Sequence, residues 1–183
     1  MNDQFGINSG AAFVFERVEG GNTFTQLATL YSPSPAVSAL FGWSVAVNAV
    51  GDIAIGARGD RIAQGSVYVY QKAGANSQWN LIDTLAPDVT SDPPNVGNFG
   101  WSLAFDTNFL VVGAPNEGVG ANKIGAIFLY EKTAAGTLRF VDTKYPADGN
   151  AGDLFGFSVD IDESTLVVGS RNHTHHSLAV SLV

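Results

Sequence analysis

FGWSVAVNAVGDIAIGA (41–57), FGWSLAFDTNFLVVGA (99–114) and FGFSVDIDESTLVVGS (155–170) are three versions of one phrase. Their FG dipeptides begin at Phe41, Phe99 and Phe155, 58 and 56 residues apart. Each phrase closes on a glycine and a small residue: Gly56-Ala57, Gly113-Ala114, Gly169-Ser170. Two more markers recur at the same period. One is GAAFVFER (10–17), GSVYVYQK (65–72) and GAIFLYEK (125–132); the other is the looser FTQLATL (24–30), WNLIDTL (79–85) and LRFVDTK (138–144). Four ordered markers at one spacing define an internal repeat.

Each marker reads as a short strand. SVAV and SLAF alternate or run apolar, and VYVY and IFLY are β-branched and aromatic. Gly, Asn, Asp and Pro punctuate the gaps, and no stretch sustains a helical period. Four short strands per repeat predict an all-β chain, a β-propeller of four-stranded antiparallel blades. With the strands of a blade lettered A to D, the chain is one propeller segment over 1–183. Its repeats are 1–30 (partial, C–D), 41–86, 99–144 and 155–183 (partial, A–C). That makes about three blades, too few to close a ring. Open end blades would expose apolar faces and unpaired edges. Two resolutions follow: the chain is a piece of a longer propeller, or copies associate so that one chain's terminal A–B pair completes another's initial C–D pair.

The repeat markers themselves have structural readings. Gly42, Gly100 and Gly156 are expected to let each first strand approach neighbouring backbone. Phe41, Phe99 and Phe155 are expected to wedge between blades, with Trp43, Trp101 and Phe157 packing between them. Gly56, Gly113 and Gly169 are expected where bulk would clash near the axis.

These markers, FGWS followed by VVGAP and GAIFLYEK, resemble the FG-GAP repeat family, which includes the propeller of integrin α subunits. The resemblance covers roughly residues 10–180. It implies a propeller, usually seven-bladed and extracellular, used in adhesion or recognition. Many members hold calcium in an Asp-rich loop between strands A and B, and Ca²⁺ takes 6–8 oxygens. Here the equivalent stretches are NAVGD (48–52), DTN (106–108) and DEST (162–165), too short and too poor in acids. No cofactor is expected, and no calcium in the integrin manner; the pattern is closer to the calcium-less subfamily.

Bulk properties narrow the partners. The net charge is −8 with nine Lys and Arg, which offers no footprint for nucleic acid or for an anionic membrane surface. No apolar run is long enough for a membrane helix, so direct membrane insertion is not expected. There is no cysteine, so disulfides, thiolate catalysis and Cys-ligated zinc are absent. The polar start, MNDQFGINSG, carries no apolar signal core. An extracellular or surface location, with the leader outside this chain, is the expectation.

Antiparallel connectivity places the B–C and D–A loops on one face, and these are the long ones. Long loops on a rigid scaffold carry binding, so a protein or glycan ligand is expected there. The candidate residues are Arg58, Asp60, Asp92, Asn116, Glu117, Asp148, Asp153 and Arg171. Arg58-Gly59-Asp60 spells the tripeptide that integrins recognise, though Gly-Asp also simply makes a turn. His173, His175 and His176 share one loop and could hold Zn²⁺ or Ni²⁺ given a further ligand. Asn172-His173-Thr174 is a glycosylation sequon. Ser44, Ser102 and Ser158 are repeat features with no paired His, so no catalytic constellation emerges. The expected function is a non-catalytic recognition or adhesion module. A structural repeat or assembly subunit is the alternative, and a propeller hydrolase or lyase the second.

Overall fold

A computed structural model describes residues 6–74, 78–87, 96–118 and 122–174. The chain is all-β, a partial propeller. Strands β1 (Ala12–Arg17) and β2 (Phe24–Leu30) pair as the C–D half of a first blade. The second blade is the four-stranded antiparallel sheet β3 (Phe41–Val47), β4 (Ile53–Ala57), β5 (Ser66–Ala73), β6 (Gln78–Leu85), in that order. The third repeats it with β7 (Ser102–Phe105), β8 (Phe109–Ala114), β9 (Ala126–Lys132) and β10 (Leu138–Lys144). β11 (Phe155–Asp162) and β12 (Thr165–Ser170) form the A–B half of a fourth. Its expected third strand falls in 175–183, outside the described residues.

The FGW triplet is a bulge. Phe41 lies opposite Ala57 and Ser44 opposite Gly56, so Gly42 and Trp43 have no partner on β4; Phe155 and Ser158 repeat this against Ser170 and Gly169. The bulge needs φ +88 at Gly42, and a methyl group there would collide with the Ala11 carbonyl of the preceding blade. Gly100 and Gly156 hold the same conformation against Ser66 and Ala126.

Every seam between blades shares the phenylalanine contact, and two of them add a serine. The amides of Phe41, Phe99 and Phe155 each donate at 2.9 Å to the preceding blade, at Ser9, Gln64 and Ile124. Ser44 Oγ donates to Gly100 O at 2.7 Å, and Ser102 Oγ to Gly156 O at 2.8 Å. Gly56 and Gly113 leave room for those carbonyls, since a side chain at either would strike Gly100 O or Gly156 O. Gly169 has Ser158 Oγ beside it and no next-blade carbonyl among the described residues. These serines are latches between blades.

Side chains fill the seams. Phe99, fully buried, packs on Phe128 (5.1 Å between ring centroids) and Tyr130 (6.2 Å) of its own blade. Val67, Val69 and Leu85 of the second blade join the same core. Phe41 does likewise on Tyr68 and Tyr70, with Ala12 and Leu30 across the seam. Burial pushes the Tyr70 hydroxyl up to about 12 and raises that of Tyr130 further. Lys132 reaches from the third blade to pair with Asp52, a buried carboxylate in the β3–β4 turn of the second. Asn48 braces that turn through Asp52 N–H (2.9 Å) and Val50 N–H (3.1 Å).

Candidate functional site

The bulge that frees Trp43 from the β3–β4 ladder also turns its ring toward the next blade. Trp43 meets Trp101 at 5.2 Å, and Trp101 meets Phe157 at 5.3 Å, all in tilted geometry. The matched rings thus pack across two seams as one ladder. The first strands β3, β7 and β11 lie against one another, which puts this ladder at the hub side of the face formed by the B–C and D–A loops. Its first ring is still 45% exposed, so the ladder is not wholly spent on packing.

Two cations cap it. Arg58, the first residue after β4, holds its guanidinium carbon 3.7 Å over Trp43 and 4.8 Å from Trp101. Arg171, at the matched place after β12, sits 5.2 Å over Phe157. Pro115 occupies that place in the third blade and is buried. Arg58 Nε is buried without a hydrogen-bond partner among the described residues. Burial lowers the Arg58 pKa, yet a guanidinium stays charged at neutral pH. A planar cation stacked on indoles can donate from its terminal nitrogens to a carboxylate or a sugar hydroxyl.

Arg58-Gly59-Asp60 is held inward rather than offered at a loop tip. Asp60 Oδ2 accepts the Tyr68 hydroxyl at 2.7 Å, and Ser32 Oγ reaches the same hydroxyl at 3.5 Å. Gly59 packs so close to Ser38 O that a side chain would collide. Arg61, Ile62 and Ala63 then make a single left-handed turn, with φ 51, 59 and 63. That conformation is costly for residues bearing a Cβ.

Asn116 Nδ2 donates to Asn98 Oδ1 at 2.6 Å, and Asn98 Nδ2 donates to the carbonyls of Arg58 (3.3 Å) and Ala63 (3.2 Å). One amide chain therefore ties the loops of two blades. Glu117 lies against Gly97 of the adjacent loop. The tie through Asn98, like the part played by Trp43 and Trp101 in the face, was not legible as a site feature in the sequence. The Asn partners are 18 residues apart, and nothing local marks them.

Asp153 is buried and organises the fourth blade's loops. Its carboxylate accepts Asn150 N–H (2.8 Å) and approaches His173 Nδ1 (2.9 Å). Its carbonyl accepts Ser170 Oγ (2.9 Å) and Asn172 N–H (3.0 Å). His173 Nε2 is 3.5 Å from Asp148. Asn172, the sequon residue, is exposed and donates its amide to Gly152 O at 3.1 Å. His175, His176 and Asp92 lie outside the described residues. Among the described residues no three His, Asp or Glu side chains group as a metal set, and His173 meets the carboxylates of Asp148 and Asp153.

That pairing has a measurable sign. The hydrogen bond to Asp153 chiefly, with the charge of Asp148, raises the His173 pKa. A raised value means that the pairing contributes most below the ordinary imidazole range, about 6.5, and is lost as pH climbs through the folded value. In an NMR titration His173 should titrate above that range, and Asp153→Asn should bring it down. An unchanged value in the variant would refute the pairing.

On the opposite face the short A–B turns converge on a depression lined by Ala49, Asp106, Thr107, Asn108, Asp162, Glu163 and Ser164. Asp106 uses its carboxylate to cap its own turn, accepting Asn108 N–H (2.7 Å) and Phe109 N–H (2.6 Å). No helix among the described residues is long and apolar enough to cross a membrane.

A family model described as FG-GAP repeat matches residues 24–70 and 145–179. The first segment runs from β2 into β5, and the second takes in β11 and β12. The third blade shows the same markers but lies outside the matched segments. No curated protein matches the chain.

Proposed function

Since the chain carries FG-GAP repeats, we propose that it is a non-catalytic recognition or adhesion module of the cell exterior, binding a protein or glycan through the B–C and D–A loop face. The repeat family supports the module reading. The observation that carries the binding face is the ladder of Trp43, Trp101 and Phe157 capped by Arg58 and Arg171. Aromatic planes give contact area at small entropic cost, and stacked guanidinium groups add directional donors for carboxylates or hydroxyls. Hot spots at interfaces are enriched in these residue types. No catalytic role is assigned to the repeat serines, because Ser44 and Ser102 spend their hydroxyls on the blade latches.

Glycan and cell-surface protein arrays probed with the 183-residue chain test this reading. Trp43→Ala and Arg58→Ala should each weaken any captured ligand about tenfold or more, near 1.4 kcal/mol. Glu163→Gln, on the opposite face, should leave binding unchanged. Arrays silent toward well-folded protein, or binding indifferent to both face variants, would overturn it.

The assembly reading has its own support. Phe13, Phe15, Val45 and Val47 expose apolar surface on one side of the arc, at 54–65% of their accessible area.

A further inference from the structure

The exposed apolar residues are not scattered. Phe13 and Phe15 lie on β1 and Val45 and Val47 on β3. Together with Ala12, Val14, Ala46, Ile53 and Ile55 they line one cavity of about 260 Å³ between the first and second blades. β1 pairs only with β2 among the described residues, whereas its counterparts β5 and β9 are paired on both sides. The slot therefore has the place of an A–B strand pair.

The repeat specifies what fits it. In the second blade the A-strand phenylalanine rests on aromatic side chains three and five residues past Gly65, Tyr68 and Tyr70. In the third it rests on Phe128 and Tyr130, three and five past Gly125. Three and five past Gly10 stand Phe13 and Phe15. They are a seat of the same construction with no phenylalanine on it among the described residues. The chain itself carries a hairpin with the required phenylalanine: β11–β12, headed by Phe155, which is only partly buried.

We infer that the slot between β1 and β3 is filled by the β11–β12 hairpin of a second copy, with β1 taking the edge of β12 that the third strand expected in 175–183 would otherwise hold, so that two chains build a shared four-stranded blade at each junction. The register follows from the two whole blades. Ala54 opposes Val69 and Val111 opposes Leu129, and the same positions in the hybrid are Val167 and Val14. Leu166 then opposes Phe15, and Val168 opposes Phe13, so the apolar residues of both strands meet. Charge agrees as well. Lys132 pairs with Asp52 in the turn of the blade before it, and Lys72 holds the matching place in the second blade. The incoming turn brings Asp162 and Glu163 toward Lys72, which already pairs across the seam with Glu16 of β1 at 2.9 Å. Reciprocal exchange gives each copy two whole blades and a half-share in two hybrid ones, a closed ring of about six within the 4–8 that propellers use. Such an interface is isologous and pairs the edges of β1 and β12 that stand open among the described residues.

One residue works against the fit. Asp160 stands where Ala46 and Ala104 stand, on the side of β11 that would face Val45 and Val47. A carboxylate at that seam weakens the association and keeps it reversible.

The inference is independent of the recognition reading, because mass and cross-linking report it without any ligand. Light scattering of the 183-residue chain should give twice 19.2 kDa. The chain has no cysteine, so Val14→Cys with Val167→Cys should yield a disulfide-linked pair on oxidation, and neither single variant should. Phe13→Glu with Phe15→Glu, both at exposed positions, should give a monomer with an unchanged circular dichroism spectrum. Asp160→Ala should let the pair persist at about tenfold lower concentration. A monomer at every concentration overturns the inference. So does a pair that survives the glutamate substitutions, or one that the 14–167 cysteines fail to link.

Discussion

Phe99→Ala is expected to destabilise the chain by about 3–5 kcal/mol, the range for deleting a fully buried phenylalanine. Phe99 belongs to the core that the two whole blades share. Phe99 has no exposed surface, and its ring lies edge-on to both Phe128 and Tyr130. Val67, Val69 and Leu85 approach from the blade before. Neighbours on two sheets cannot collapse into the void together without moving a blade. Urea unfolding followed by tryptophan fluorescence would read the loss, and the melting point should fall on the order of 10 °C. Phe155→Ala should cost less within a single copy, since Phe155 is only partly buried there. A loss below about 1 kcal/mol for Phe99→Ala, the scale of an ordinary surface change, would mean that the seam is not packed as described.

Gly65→Ala is the second large effect. Gly65 has φ +92, and a methyl group there would collide with the Phe99 carbonyl oxygen of the next blade. Two penalties therefore add: strain of about 1–2 kcal/mol for a left-handed alanine, and about 1–3 kcal/mol for forcing apart packed backbone. Gly51→Ala separates them. Gly51 has nearly the same conformation, φ +87, but no atom within 4 Å of the added methyl. It should show the strain alone. Equal losses for the two variants would refute the close approach of Phe99 to Gly65.

Much of this fold could be read before any coordinates because each seam repeats the same chemistry. A phenylalanine that packs between sheets and a glycine that admits a neighbour's backbone must return wherever a blade returns, and so Phe41, Phe99 and Phe155 kept step with Gly42, Gly100 and Gly156. The bulge behind the FG spelling was hidden, since it is a register property of two strands. Ser44, Ser102 and Ser158 were visible as repeated letters. Their use as latches was not, because Ser44 and Ser102 find their acceptors 56 and 54 residues away.

The site was less legible than the scaffold for a related reason. Trp43 and Trp101 obey the repeat, but Arg58 does so only in part: the matched positions are Pro115 and Arg171. A residue that breaks the period carries no periodic signal. The RGD letters say nothing of where their charges go, because Tyr68 and Trp43, which hold Asp60 and Arg58, lie on other strands. The left-handed turn at Arg61–Ala63 lacks the Gly or Asn that ordinarily announces one. His173 stands beside other histidines in its own loop, but its partners Asp148 and Asp153 come from the loop before β11, where no local signal points to them.

The uniform seam also limits how a gene for such an arc can change. Because every blade meets its successor through the same phenylalanine amide, the same glycine and, at two seams, the same serine, duplicating or deleting one whole period joins surfaces that already match. Gaining or losing half a period would set an FG hairpin against an outer strand and leave carbonyls facing side chains. Recombination can therefore shorten or lengthen the molecule in units of a blade, and size becomes a variable that drifts in steps while the joint between neighbours stays fixed.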